Sequence, residues 1–333
     1  MTHTRSAADH DQMRRIRHPS ISEAKNMPPH SALSPTSSRP LDGQEATARE
    51  KRGSVQWLRI TPFIAIQAAC LLVFAVGWSP IALAVCVGLY LVRMFAITAF
   101  YHRYFSHRAF RTSRAVQFAF AVIGNASAQR DALWWAAHHR HHHRRSDEPT
   151  DVHSPKQHGI LWSHMGWFTT KENFRTDHSV IPDLVRFPEL MFLNRFDWVV
   201  PVLFGASMWG LGALLEALAP GLGTTGAQMF IWGFCISTTL LFHGTFTINS
   251  LAHLYGTRRY ETTDTSRNNG WLALITLGEG WHNNHHHYPH SVRQGFFPGE
   301  FDASHAVLRG MERLGLVWDL RPVPEEVLAQ GRR

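Results

Sequence analysis

Trp134-Trp135-Ala136-Ala137-His138-His139-Arg140-His141-His142-His143 is the stretch whose reading decides the fold, because no other ten residues of the chain concentrate so much metal-coordinating capacity. On a helix, His139, His142 and His143 stand at i, i+3 and i+4, so three imidazoles share one face within reach of a metal or a metal pair. The same spacing recurs at His282, His285 and His286. His102 and His107 close the first long apolar region. Their i, i+5 spacing does not share one α-helical face, and an irregular turn at a helix end would let both rings converge. A single histidine tract reads equally well as a solvated loop. Three tracts placed where apolar stretches end, with His253 four residues after Asn249, point instead to one metal site assembled from four places at a membrane edge.

Working outward, four stretches have few or no charges and near-spanning length, at about 60–76, 81–100, 198–219 and 228–248. The expected fold is therefore an all-α integral membrane protein: four transmembrane helices and a cytoplasmic helical cap, 101–196 and 249–325, that holds a histidine-rich dimetal site. Two shorter apolar stretches, 115–126 and 271–277, read as interfacial or buried helices, and 303–314 as a helix completing the cap. Residues 1–52 are rich in Ser, Arg, His, Pro and Ala without apolar periodicity, which predicts a disordered cytoplasmic tail ahead of a membrane domain at 53–325. They contain no apolar signal-peptide core, so the first span is expected to direct insertion.

Basic residues set the expected orientation. Ten Lys/Arg lie in 1–59, 13 in 101–196 and nine in 249–333, whereas the connections near 77–80 and 220–227 have none. The positive-inside rule then places both termini and all three histidine tracts in the cytoplasm. Formal charge of +8 is explained by these membrane-facing segments, and no nucleic-acid-binding motif accompanies it. Cys70, Cys86 and Cys235 all fall inside expected spans without a CxxC pair, which argues against both a disulfide framework and a thiolate metal site.

Within this frame, Gly77-Trp78-Ser79-Pro80 reads as a hairpin turn with proline opening the second span. Arg93, the one basic residue inside a span, is expected to snorkel toward the cytoplasmic face. Gly221-Leu222-Gly223-Thr224-Thr225-Gly226 matches a GxGxxG string, but no strand precedes it, so it reads as a turn between spans. His243, alone inside a span, reads as a hydrogen-bonded interior residue.

His102, His107, His139, His142, His143, His253, His282, His285 and His286 make nine candidate ligands, with Asn249 a tenth contact through water. Nine exceed one ion's needs, and a structural zinc site closes at four. Two ions with four or five neutral ligands each would keep positions free for a small oxidant, and imidazole suits iron, copper, nickel and zinc. A transporter would carry its ligands inside the spans. A redox site at the membrane edge is the better reading, with a metal-binding transporter or sensor as the alternative of another class.

These residues carry a resemblance: from about 59 to 320 the chain resembles the membrane fatty acyl desaturases of the acyl-CoA delta-9 type. The HxxxxH box is matched by His102 and His107, the two HxxHH boxes by His139, His142, His143 and by His282, His285, His286, and an Asn-Ser-x-x-His element by Asn249 and His253. The resemblance implies two iron ions, with zinc as a misincorporated substitute, and dioxygen-dependent formation of a cis double bond in a saturated acyl chain. It also implies a separate electron carrier and reductase and, for this chain, a bacterial inner membrane. A related di-iron hydroxylase or ketolase would use the same ligands. Family members that use acyl-CoA carry an Arg-Asp pair and two further arginines where this chain has Ala137, His138, Gln157 and His158. Gln129, Asp131 and Lys156 are then the candidate head-group contacts. CoA is the favoured carrier, with acyl carrier protein or a lipid as the others.

In that family the acyl tail runs between the spans beyond the metals. Tyr90 lies 12 residues before His102, about 18 Å deeper at roughly 1.5 Å per residue, with Cys86 one turn further on the same face. Both are expected to line the tunnel, Tyr90 as a floor that favours palmitoyl over stearoyl chains.

Overall fold

Because an α-helix rises about 1.5 Å per residue, about 20 residues cross a hydrocarbon layer about 30 Å thick. The computed structural model describes residues 54–332, so the expected disordered tail lies outside the described residues. Among those described, four helices are long and apolar enough to cross a membrane: Trp57–Val76 (span 1), Pro80–Ser106 (span 2), Val199–Leu218 (span 3) and Gly226–His253 (span 4). Spans 1 and 3 have 20 residues each and just suffice; spans 2 and 4 have 27 and 28. Their excess length of roughly 10 Å carries His102 and His253 out of the apolar layer. Spans 2 and 4 are also the central pair, with 44% and 61% of their most apolar window buried against 6% and 11% in spans 1 and 3.

The hairpin turns follow from local chemistry. Gly77 takes a positive φ of 67°, which a side chain would strain, and Ser79 caps span 2 by accepting from the Ala82 amide, with Pro80 as its first residue. Pro220–Leu222 forms a 3-10 turn closed by left-handed Gly223, so the GxGxxG string is a turn, as expected.

The structure departs from expectation where span 2 ends. Ala96–Ser106 is a π-helix, not an α-helix with a ragged end. Its i→i+5 bonding, seen in His107 N–H donating to the His102 carbonyl at 3.2 Å, is what aligns residues five apart. The i, i+5 spacing of His102 and His107 is thus a helical repeat after all, and their ring centroids stand 4.9 Å apart.

Arg93 does not snorkel. Span 2 continues 13 residues beyond it, which puts the interface out of reach, and the guanidinium is instead 1% exposed. It donates to the Leu89 and Ala126 carbonyls, Thr238 Oγ1 and Ser237 Oγ, and lies over the Phe204 ring. Its role is structural, joining span 2 to span 4. His243 bonds to His164 and Gln67, as an interior histidine should.

The cap is built from helices Arg114–Asn125, Ala132–Arg145, Pro188–Arg195, Gly270–Ile275, His282–His287 and Ala303–Arg313. Its core centres on Phe100, Tyr101, Phe105, Phe110 and Leu133, with Phe100 stacked on Phe120 at 3.7 Å. Gly270–Ile275 keeps Trp271, Leu274 and Ile275 exposed, the surface of an interfacial helix. Arg111–Thr112 pairs antiparallel with Val317–Trp318 and pins the C-terminal segment beside the start of the cap. All three cysteines are free.

Spans 3 and 4 approach closely at Gly212, where a Cβ would stand 2.4 Å from the Thr225 carbonyl oxygen and 2.6 Å from Met229 Cβ; at Gly210, two residues earlier and on the opposite face, it would meet nothing within 4 Å. Small residues are what let membrane helices close to this distance. Gly212→Leu is therefore expected to cost about 1–3 kcal/mol and to lower the melting temperature in detergent by several degrees, with Gly210→Leu unchanged. Equal melting of the two variants would contradict the packing.

Candidate metal centre

Four elements deliver the expected histidines. The π-helical end of span 2 presents His102 and His107. The Ala132–Arg145 helix, capped by Asp131 accepting from the Leu133 and Trp134 amides, presents His139, His142 and His143. The α-helical part of span 4 stops at Asn249, and His253 sits in a separate 3-10 turn, Leu251–His253. Asn249 and His253 are therefore not one turn apart on a continuous helix. The His282–His287 helix brings His282, His285 and His286.

All nine converge, in two groups: His102, His107, His139, His143 and His285, and His142, His253, His282 and His286. Within each group the ligating atoms lie within 4.8 Å of one another. His285 Nε2 stands 2.9 Å from both His102 Nε2 and His143 Nε2, His107 Nε2 is 2.8 Å from His139 Nε2, and His282 Nε2 is 3.2 Å from His253 Nε2. A neutral ring has one N–H, so one nitrogen facing two others is a convergence of lone pairs rather than a set of hydrogen bonds. These spacings suit neighbouring ligands on one ion at roughly 2.0–2.1 Å. His286 Nε2 is buried without a hydrogen-bond partner among the described residues, as an atom reserved for a metal would be.

The outward ring nitrogens show how the lone pairs are aimed. His102 Nδ1 meets Glu279, and His142 Nδ1 meets Asp151 Oδ2 at 3.0 Å. His253 Nδ1 reaches Asp147 through Thr265, whose Oγ1 lies 3.3 Å from the ring nitrogen and donates to Asp147 Oδ2 at 2.6 Å, and His286 Nδ1 meets Asp264 Oδ2 at 2.6 Å. A carboxylate on Nδ1 fixes the tautomer and leaves Nε2 free for a metal. Three of the four supported rings belong to the second group, so the two histidine groups are electrostatically unequal.

Protonation agrees. Burial, followed by repulsion from neighbouring imidazoles, pushes His107, His139, His143, His282 and His285 well below the usual histidine range, the neutral form that ligates. Burial also lowers His286, to about 4. Burial would raise Glu279, but His102 and Arg103 outweigh it and hold the carboxyl at about 2. Burial is likewise outweighed by histidine partners at Asp147, Asp151 and Asp264, all held far below the carboxylate range. Buried Asp147, Asp151, Asp264, Glu279 and Asp302 face one buried cation, Arg103, which bonds Glu279 and Asp302. Four negative charges are left over, and two divalent ions would cancel them.

A cavity of about 850 Å³ reaches the centre at His139, His153 and Asn249. Its wall comes from spans 1, 3 and 4 with Gln129, Trp134 and Trp135 of the cap, and Trp135 stacks on His139 at 4.8 Å. Span 2 does not contribute, so the expected floor lies elsewhere. Tyr90 instead donates its hydroxyl to the Ile275 carbonyl at 2.6 Å, tying span 2 to the cap, and Cys86 is buried off the cavity. Of the three expected head-group contacts, only Gln129 lines the cavity, where it donates to Thr245 Oγ1. Asp131 is fully buried as a helix cap that also accepts from Asn194, and Lys156 is exposed away from the wall. Sequence reasoning missed Asp147, Asp151, Asp264, Glu279, His153 and Arg103. The usable signal was the acids beside the boxes, since ligand histidines need carboxylate partners.

Asp264→Asn removes one such carboxylate. Metal affinity at the second group is expected to fall about 10- to 100-fold, read as metal per chain by mass spectrometry after dialysis against a chelator, with exposed Glu326→Gln as the unchanged control. Full metal retention in Asp264→Asn would remove the orienting role.

Residues 77–295 match the family model described as fatty acid desaturase. The chain is similar to "Delta-9 acyl-lipid desaturase 2" of Arabidopsis thaliana, at 35% identity over 81% of this chain and 83% of the relative. It is similar to "sn-2 palmitoyl-lipid 9-desaturase" of Nostoc sp. (strain 36), at 30% over 87% and 98%. A third relative is "Hex-5-enoyl-[acyl-carrier protein] acetylenase" of Moorena producens (strain JHB), at 31% over 79% and 84%. Four membrane-length helices, two converging sets of histidines and this match place the chain in one family: it belongs to the fatty acid desaturases, oxidoreductases acting on fatty acyl chains.

Proposed function

We propose that this chain is a di-iron desaturase that converts a saturated acyl chain to its cis-9 monoene, consuming one dioxygen, two electrons and two protons and releasing two waters. The observation that carries this reading is the apolar cavity ending at His139, His153 and Asn249. Its volume lies in the range of small-molecule sites. An unactivated methylene offers no acidic proton, so acid-base groups alone are insufficient, and the irons would supply the oxidising power when bound.

The chain's own residues do the rest. The nine histidines are the ligands, and Asn249, on the cavity wall, is the contact through water. Asp147, Asp151, Asp264 and Glu279 hold four of the rings in the ligating tautomer. Phe63, Phe242 and Phe246 keep the cavity dry near the centre, and their ring centroids lie 5.3–6.2 Å apart. Trp135 and the Gln129–Thr245 hydrogen bond form the wall beside His139, and by confining a flexible chain there they set which carbon pair reacts. The distribution of basic residues supports a cytoplasmic centre and termini; the membrane is a bacterial inner membrane, and the centre receives electrons from a separate carrier at its cytoplasmic face. The relatives' names include lipid-linked and acyl-carrier-protein-linked chains, and CoA is the third carrier.

Expression in a host lacking its own desaturase, with total fatty acids profiled, tests this function. Cis-9 monoenes are expected from the wild-type chain and none from His285→Ala, while purified active protein should carry about two irons. Hydroxy or keto products would replace this reading with an oxygen-inserting one, and an unchanged lipid profile with metal bound would overturn it.

A further inference from the structure

The cavity that reaches the histidines also opens sideways. Leu58, Trp198 and Val202 lie on its wall yet are 88%, 61% and 57% exposed, so the wall runs out onto the lipid-facing surface of spans 1 and 3. Both spans pack on span 4, and between them the slot is floored by Phe230, Phe234, Phe242 and Phe246. Trp57 and Trp198, both largely exposed, stand at the starts of spans 1 and 3. Exposed tryptophans at span ends mark the level of the membrane interface.

At that level the mouth is basic. Arg59, Arg130 and Arg195 line it, and Asp197 is its one carboxylate among the described residues. Arg130 pairs with Asp197 at 2.6 Å. Arg59 and Arg195 are exposed, have no carboxylate partner among the described residues, and lie over the Phe174 and Phe196 rings. Two positive charges are thus held beside an apolar slot at the depth of lipid head groups, where guanidinium forks suit a phosphate. The aqueous face is less prepared for a soluble carrier. Of the positions compared with acyl-CoA-using family members, Gln157 and His158 turn inward onto the Asp147 and Asp151 carbonyls, and of the expected head-group contacts Lys156 stays exposed.

We propose that the slot between spans 1 and 3 is a lateral entrance for an acyl chain still attached to a phospholipid, with Arg59 and Arg195 holding the anionic head group. This rests on the desaturase reading only in taking the acyl chain as substrate.

The test uses full-length protein in neutral detergent, with binding measured for dipalmitoyl phosphatidylglycerol, an uncharged dipalmitoyl galactolipid and palmitoyl-CoA. Wild-type protein should bind the phosphatidylglycerol at least fivefold more tightly than the galactolipid, with the preference shrinking as salt rises. Arg59→Gln with Arg195→Gln should weaken phosphatidylglycerol binding about tenfold or more and leave palmitoyl-CoA unaffected, and the double lysine variant should restore most of it. Equal binding of the two lipids by wild-type protein overturns the proposal even if the glutamine variant fails to fold. So does a tighter palmitoyl-CoA complex that the variant loses. Phospholipid bound at the slot but never desaturated would sink the enzymatic reading alone, whereas monoenes formed with salt-insensitive, charge-blind binding would sink the entrance alone.

Discussion

Everything at the centre depends on holding nine converging imidazoles with their ligating nitrogens pointed inward. Burial and mutual repulsion favour the neutral form at six of the rings, since a desolvated imidazolium is costly, but they do not choose which nitrogen carries the proton. That choice is made by four carboxylates behind Nδ1 atoms, each drawn from outside the ligand's own helix: Glu279 for His102, Asp151 for His142, Asp147 through Thr265 for His253 and Asp264 for His286. The arrangement carries a risk, because those acids are themselves buried and ionised. Arg103 relieves Glu279 and Asp302, and the remainder is charge that suits metal ions. Ligand orientation and metal charge are one interlocked condition, which is why an acid far from the cavity bears on the centre.

The membrane part of the fold serves the same end. Spans 2 and 4 exceed spans 1 and 3 by seven and eight residues, and the surplus lifts ligands to the edge of the apolar layer while the rest of each helix stays in the middle of the bundle. Arg93 shows the cost of that centrality: too deep to reach water, it needs hydroxyls of span 4 and loop carbonyls as partners. Span 1 and span 3 take the periphery, and the space they leave against span 4 becomes the cavity. A substrate path bounded by the two least buried helices has a natural route to the lipid.

The legible part of the site was the part written in local spacing. Histidines at i, i+3 and i+4, apolar runs of spanning length, the Gly77–Pro80 turn and the interior setting of His243 all depend on neighbours within a few residues. What was not legible depends on packing between distant segments. His286 and Asp264 are 22 residues apart and His102 and Glu279 are 177 apart, with no periodicity to link them. The irregular helix end expected to bring His102 and His107 together takes the form of a π-helix, which spacing alone did not specify. Tyr90 and Asp131 were assigned by depth and by charge. Their actual partners, the Ile275 carbonyl and the Leu133 and Trp134 amides, are set by how span 2 meets the cap and by a helix start.

The central claim is that two unequal sets of imidazoles, five and four, each hold one metal. Crystals of the iron-loaded protein measured across the iron absorption edge test it most directly. The account predicts two anomalous peaks, one surrounded by His102, His107, His139, His143 and His285 and the other by His142, His253, His282 and His286. A single peak, or one coordinated by Asp151 and His153 in place of the second set, would contradict it.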